Sequence, residues 1–96
     1  MRYDFEAEIW RSSGASGWFF ATLPIEVAEG LRALHGPRAG FGSLRVRAHL
    51  AGVNWDTSVF PDARSGSFLL PLKAQVRQRT GVTAGDRAAI RIDLAI

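Results

Sequence analysis

Residues Phe68 to Leu94, FLLPLKAQVRQRTGVTAGDRAAIRIDL, decide how the fold is read. Phe68, Leu69 and Leu70 form an apolar run of strand character, and Pro71 follows where a first helical residue is expected. Its ring presets φ for a helix start, and the N–H it lacks would have no intrahelical partner there. The spacing predicts a short helix that Gly81 stops in the left-handed conformation, with Val82 placed for the usual apolar contact. Gly85-Asp86 marks the next turn. Beyond it Ala88, Ile90, Ile92, Leu94 and Ile96 alternate with Arg87, Ala89, Arg91, Asp93 and Ala95, the period of a half-buried strand. The stretch therefore reads strand, helix, turn, strand.

Outward from it, the same order of signals occurs once before. Phe20-Ala21-Thr22-Leu23-Pro24-Ile25 precedes Ser67-Phe68-Leu69-Leu70-Pro71-Leu72 with Leu-Pro in register. Trp18 to Leu23 is apolar on both faces and is expected to be covered on both. After Pro24 a helix places Val27, Leu31 and Leu34 on one face and Glu26, Glu29 and Arg32 outside, and Gly36-Pro37 ends it with His35 near its negative end. Gly40, Phe41 and Gly42 turn the chain into a strand, Ser43 to Ala51, with Leu44, Val46, Ala48 and Leu50 inward and Arg45, Arg47 and His49 outward. Gly52 permits a tight reversal into Val53 to Phe60, and a loop from Pro61 to Gly66 returns to Phe68. Residues 2–10 add a first strand, Tyr3, Phe5, Ala7 and Ile9 inward and Arg2, Asp4, Glu6 and Glu8 outward; a short Ser/Gly loop follows it. The expected architecture is mainly β: one domain over residues 1–96, a six-stranded double-split β-barrel with two short helices, built from two pseudo-twofold related β-α-β units.

Ninety-six residues without Cys support one core with no disulfide. No run is long enough to span a membrane and no signal peptide is evident, so a cytoplasmic protein with no membrane partner is expected. The sequence pI near 10.6 suggests a nucleic-acid binder. The charge count does not: 12 basic residues, all but Lys73 being Arg, stand against 9 acidic, a net charge of +3. Neither half is a basic block, and the pI is high because Arg titrates late.

The arrangement Gly17-Trp18 … Leu23-Pro24, Trp55-x-x-Ser58-x-Phe60-Pro61, Leu70-Pro71-x-Lys73-x-x-x-Arg77 and Gly85-Asp86 resembles the uncharacterised "domain of unknown function 1905" family over essentially the whole chain. The resemblance implies a small split β-barrel, similar in shape to the DNA-binding domains of AbrB-type regulators, which build such a barrel from two chains. It brings no established activity. Some relatives carry a further domain after this one.

Catalytic patterns are missing. His35 and His49 have no ligand spacing around them, and no Ser lies in a nucleophile elbow. Asp4, Glu6, Glu8, Asp56, Asp62, Asp86 and Asp93 fall mostly on outward strand positions or in turns, and Asp86 is expected to cap its own turn. The Gly-rich segment 36–42 follows a helix, whereas a phosphate-cradling loop follows a strand. No catalytic residue, metal or cofactor is expected. Two constellations remain. Arg45, Arg47 and His49, with Arg38, could track a phosphate backbone in an AbrB-like DNA-binding reading; the acidic stripe Asp4, Glu6 and Glu8 could equally neutralise them across strands. Nucleic acid is therefore expected to bind weakly at most. In the second helix Lys73 and Arg77, four apart, are placed on one face near its start, with no acid in the helix. Either Asp56 or Asp62 answers these cations, or an anionic ligand does, with Trp55 as an aromatic wall and Ser58 as a hydroxyl donor. The reading is a non-enzymatic module for a small anion or a protein partner, with no oligomeric state implied and an enzyme of unrecognised type as the last alternative.

Overall fold

The computed structural model describes residues 1–14, 17–35 and 42–94, with the backbone alone for Leu34 and His35. The expected helix stop at Gly36-Pro37, the turn through Gly40 and Phe41, the side chains of Leu34 and His35, Arg38, Ala95 and Ile96 lie outside what is described. Among the described residues the order is β1 (Arg2–Arg11), β2 (Phe19–Thr22), α1 (Ile25–His35), β3 (Leu44–Leu50), β4 (Val53–Asp62), β5 (Ser67–Pro71), α2 (Ala74–Thr80) and β6 (Arg87–Leu94). The strands close into a six-stranded barrel in the order β1-β2-β5-β4-β3-β6, every pair antiparallel. Closure removes the free sheet edges at which a small β protein would otherwise aggregate.

Alternation fills the interior. Ile9, Ala21, Val46, Ala48, Val59, Leu70 and Ile92 are essentially inaccessible, and Val27, Ala28 and Leu31 of α1 join the same core. Helix α1 lies against β5 and β1: Arg32 stands over the Phe68 ring and donates to the Gly66 carbonyl. At Gly30 a Cβ would sit 2.7 Å from the Tyr3 hydroxyl, so this helix approaches β1 at a point where only glycine fits without movement. Ser67, 1% exposed, donates from Oγ to the Leu23 carbonyl at 2.7 Å and so ties β5 to the segment leading into α1.

Two expectations need correction here. Pro71 is the last residue of β5, paired with Phe20, and Lys73 is the N-cap of α2. The Leu72 N–H donates to the Phe19 carbonyl of β2, so position 71 turns toward β4, whose pairing already ends at Phe60–Leu69. The N–H that proline lacks is therefore not needed, and the strand runs through it. Leu23 donates to Phe68 as Leu72 donates to Phe19, and the N-cap carbonyls of Pro24 and Lys73 accept from Ala28 and Arg77. Leu23-Pro24 thus matches Leu72-Lys73, two residues beyond the Leu-Pro register. A two-residue slip keeps every strand side chain on its face, so the pattern of alternation could not exclude it.

Second, the outer face of β2 is only partly covered, its Phe20 and Thr22 being half-buried under Trp10 and Trp18. Phe19, Ala21 and Leu23 face the core, while Trp18 precedes the strand and is 58% exposed.

Gly81 ends α2 at φ 78° with its N–H on the Arg77 carbonyl, and Val82 packs on the core. Asp86 closes its own turn, accepting the Thr83 N–H at 2.9 Å. The β3–β4 hairpin turns on Ala51 and Gly52, with φ of 49° and 80°. An L-alanine in the left-handed region is strained, and Asn tolerates this position far better. Ala51→Asn is expected to stabilise the protein by about 0.5–1 kcal/mol, seen as a melting temperature a few degrees higher; an unchanged or lower value would show that the turn carries no such strain. Among the described residues no helix is long and apolar enough to cross a membrane, and no group of three or more His, Cys, Asp or Glu residues could hold a metal ion.

Candidate functional site

A groove of about 300 Å³ separates β4 from α2 and is lined by Trp55, Asp56, Lys73, Gln75 and Arg79 among others. Strand alternation turns Trp55 inward, opposite Ala48 in the ladder, and leaves it 7% exposed. Its Nε1–H is the only buried side-chain polar group among the described residues without a hydrogen-bond partner. On α2 the buried Val76 faces β4, and Gln75 and Arg79 flank it with helical spacing. Lys73 reaches the groove by another route. As N-cap it has extended backbone (φ −68°, ψ 161°), so its side chain is off the helical lattice and shares no face with Arg77.

Asp56 is the acid among these lining residues, and Arg47 of β3 already engages it from the directly opposite ladder position. Nε meets Oδ1 at 2.8 Å and Nη2 meets Oδ2 at 3.3 Å. The hydrogen bond from Arg47 holds the Asp56 carboxyl below its ordinary range against the smaller opposing effect of burial, and the charges of Arg47, Arg45 and Lys73 act in the same direction. The same hydrogen bond raises the Arg47 guanidinium. Because the folded carboxyl titrates below the unfolded one, what the pair contributes is present above the ordinary carboxylate range and is lost as pH falls through the lowered value. Both groups are exposed, so the contribution is small and screened by salt. Asp62 accepts the Ser65 Oγ–H at 2.7 Å and the Ser65 N–H, which hold its carboxyl low as well. Neither acid comes within ion-pair distance of Lys73, and Lys73 and Arg79 form no ion pair among the described residues.

Of the four residues expected to form an anion site, the groove brings together Trp55 and Lys73. Ser58 lies on the outer face of β4 opposite Arg45, since positions 55 and 58 of one strand point to opposite faces. Arg77 turns the other way: its guanidinium stacks on Phe19 with 3.8 Å to the ring centroid, and Nε donates to the Leu72 carbonyl at 3.1 Å. Gln75 and Arg79 were not singled out in the sequence. The helical phase set by the buried Val76, with Gln75 one position before it and Arg79 three after, is the signal that places them.

Arg47 and His49 of the basic stripe are answered, though not by the acids of β1. Arg47 pairs with Asp56, and His49 bridges Asn54 and Asp93, its Nε2 2.8 Å from Asp93 Oδ2. Two acids of β1 meet β6 instead, Asp4 with Arg91 and Glu6 with Arg87. The ring order decides this, because β6 separates β1 from β3. Arg45 stays outside these pairs. A second groove, about 600 Å³, runs past His49, Asn54, Asp4, Glu6 and Arg91, but each of these side chains already answers another.

A closed barrel of this strand order, with a helix after β2 and another after β5, is the frame in which the family model for "Domain of unknown function (DUF1905)" matches residues 5–92. The chain belongs to this family. The match runs from Phe5 in β1 to Ile92 in β6, so the DUF1905 domain includes both helices and the whole β4–α2 groove. No curated protein matches the chain at a significant level. The family's description assigns no activity, and the case for a function rests on this domain's own geometry.

Proposed function

We propose that this DUF1905 domain is a non-enzymatic binding module that takes a small anionic ligand in the groove between β4 and α2. One observation carries the reading: Lys73 and Arg79 border a groove whose lining acid, Asp56, is already held by Arg47. The cations therefore have donor capacity to spare, and Gln75 adds an amide. Trp55 supplies the apolar wall that such sites use to orient a ligand. A phosphate or carboxylate of a few non-hydrogen atoms matches the size and the charge. Nothing in the groove pairs a nucleophile with a base, so the reading is binding rather than turnover. A cytoplasmic setting belongs to the same proposal, in keeping with a chain that has no Cys.

The finer architecture is part of it too: two halves, β1-β2-α1-β3 and β4-β5-α2-β6, related by a pseudo-twofold axis. Exchanging the halves returns the same ring of strands, and the matched hydrogen bonds at Leu23 and Leu72 support the exchange. Under that relation the N-caps Pro24 and Lys73 are equivalent, and only the second carries a cation.

The test is thermal. Phosphate or a small carboxylate at a hundredfold excess over Kd is expected to stabilise the protein by about 2.7 kcal/mol, roughly 10–20 °C in a domain of this size. Sodium chloride at matched ionic strength is expected not to reproduce the shift, because screening acts on exposed pairs alike. Lys73→Ala and Arg79→Ala are each expected to reduce it. A panel of phosphates, sulfate and carboxylates that moves the melting temperature no further than the salt control would overturn the proposal.

A further inference from the structure

The β4–α2 groove owes its charge to a residue that does not line it. Arg47 lies on β3, where the ladders place it directly opposite Asp56 of β4 on one side and Asp93 of β6 on the other. His49 takes Asp93, Nε2 to Oδ2 at 2.8 Å, which leaves the guanidinium to Asp56. Both carboxylate oxygens are engaged there, by Nε at 2.8 Å and Nη2 at 3.3 Å. This is the two-point grip that suits a guanidinium to a carboxylate. The two side chains are 61% and 54% exposed, so the pair adds little to stability. Its consequence lies in the groove.

Asp56 is the acid of the lining, and it shares that lining with Lys73 and Arg79. After the Arg47 hydrogen bond, the Lys73 charge is among the influences that hold the Asp56 carboxyl below its ordinary range. Lys73 is therefore near enough to be felt, yet among the described residues it forms no ion pair. Without Arg47 a bare carboxylate would stand beside two long, flexible cations and would pair within the groove. The lining would then hold one positive charge in excess. With Arg47 in place the acid is answered from outside, and both cations stay available. Two unanswered cations match a doubly charged anion, whereas a monocarboxylate would leave one of them over.

We propose, building on the anion-binding reading of this groove, that it selects the phosphate dianion, free or as a small monoester, over singly charged anions. Arg47 is the positioning residue for that choice: it keeps Asp56 from pairing with Lys73 and Arg79.

The experiment follows the melting temperature of the full chain in inorganic phosphate, glycerol phosphate and acetate, with sodium chloride as the ionic-strength control. At about pH 8 both phosphates are mostly dianions. Each is expected to raise the melting temperature at lower concentration than acetate does, and the stronger of the two identifies the free ion or the monoester as the better fit. Arg47→Ala is expected to weaken phosphate binding about tenfold, read from the concentration dependence of the shift. Arg47→Ala/Asp56→Asn is expected to regain the parent affinity, because the acid that would compete is gone. Arg45→Ala is the control for charge alone, since Arg45 also acts on Asp56 through its charge but is not hydrogen-bonded to it. It is expected to bind phosphate within about twofold of the parent. A second readout needs no ligand: a double-mutant cycle between Lys73→Ala and Asp56→Asn is expected to show a larger coupling in Arg47→Ala than in the parent. Equal responses to acetate and phosphate would overturn the proposal and leave an anion site standing. So would a phosphate response that survives Arg47→Ala, that falls as far in Arg45→Ala, or that does not return in the double variant. No response to any of these anions beyond the chloride control would overturn both readings.

Discussion

Leu70→Ala is expected to cost about 3–5 kcal/mol and to lower the melting temperature by more than about 10 °C. Leu70 has no accessible surface and lies at the middle of β5, with β2 on one side and β4 on the other. Its direct neighbour on β2 is Ala21, which is too small to fill the space left. Closure makes the loss harder to absorb. In an open sheet an edge strand can move into a cavity, whereas each strand here is bonded on both sides and the backbone can shrink only by breaking ladders. Leu69→Ala is the matched control. Its side chain faces an outer groove and is half-buried, so a loss of about 1 kcal/mol is expected there. Equal losses at the two positions, measured by denaturant or thermal unfolding, would mean that the inner and outer faces of β5 are misassigned.

Trp55→Ala is expected to be of similar size, about 3–5 kcal/mol, but Trp55→Phe is expected to stay within about 1 kcal/mol of the parent. Both variants remove the indole N–H, and they differ in how much packing they leave. The N–H is buried without a partner, and an orphaned buried donor costs about 1–3 kcal/mol in desolvation. Its removal offsets much of the volume lost in going to phenylalanine. A Phe variant as unstable as the Ala variant would show that packing against the indole alone holds this wall. The phosphate-induced shift, measured in Trp55→Phe, separates packing from the groove's response to ligand, because stability and ligand response then move independently.

The period-2 stretches were legible from residues alone. Tyr3 to Ile9, Leu44 to Leu50 and Ala88 to Leu94 point where alternation says they should, since one face of each must leave water. The left-handed stop at Gly81 and the turn closed by Asp86 were legible for the same local reason: only certain residues bear those dihedrals. What alternation cannot carry is register and neighbourhood. Pro71 looks like a helix start by its φ, yet it ends a strand because the pairing partner that would have needed its N–H has already stopped. The acids of β1 and the cations of β3 look like partners in one dimension, and the ring order places β6 between them. The doubly apolar Trp18 to Leu23 segment reads as a buried strand, and only the wrapped sheet determines that one of its faces is covered just in part, beside the exposed Phe60. Lys73 and Trp55 border one groove, and Arg79 rather than Arg77 joins them, because the helical phase set by the buried Val76 turns Arg77 toward Phe19. Sequence by itself determined the strands, their inward faces and the presence of two short helices, because these follow from local dihedral preference and the removal of apolar side chains from water. Tertiary structure alone decided which strands are neighbours, which charges meet and which aromatic face remains partly uncovered, because these depend on contacts between segments far apart in the chain that no local pattern encodes.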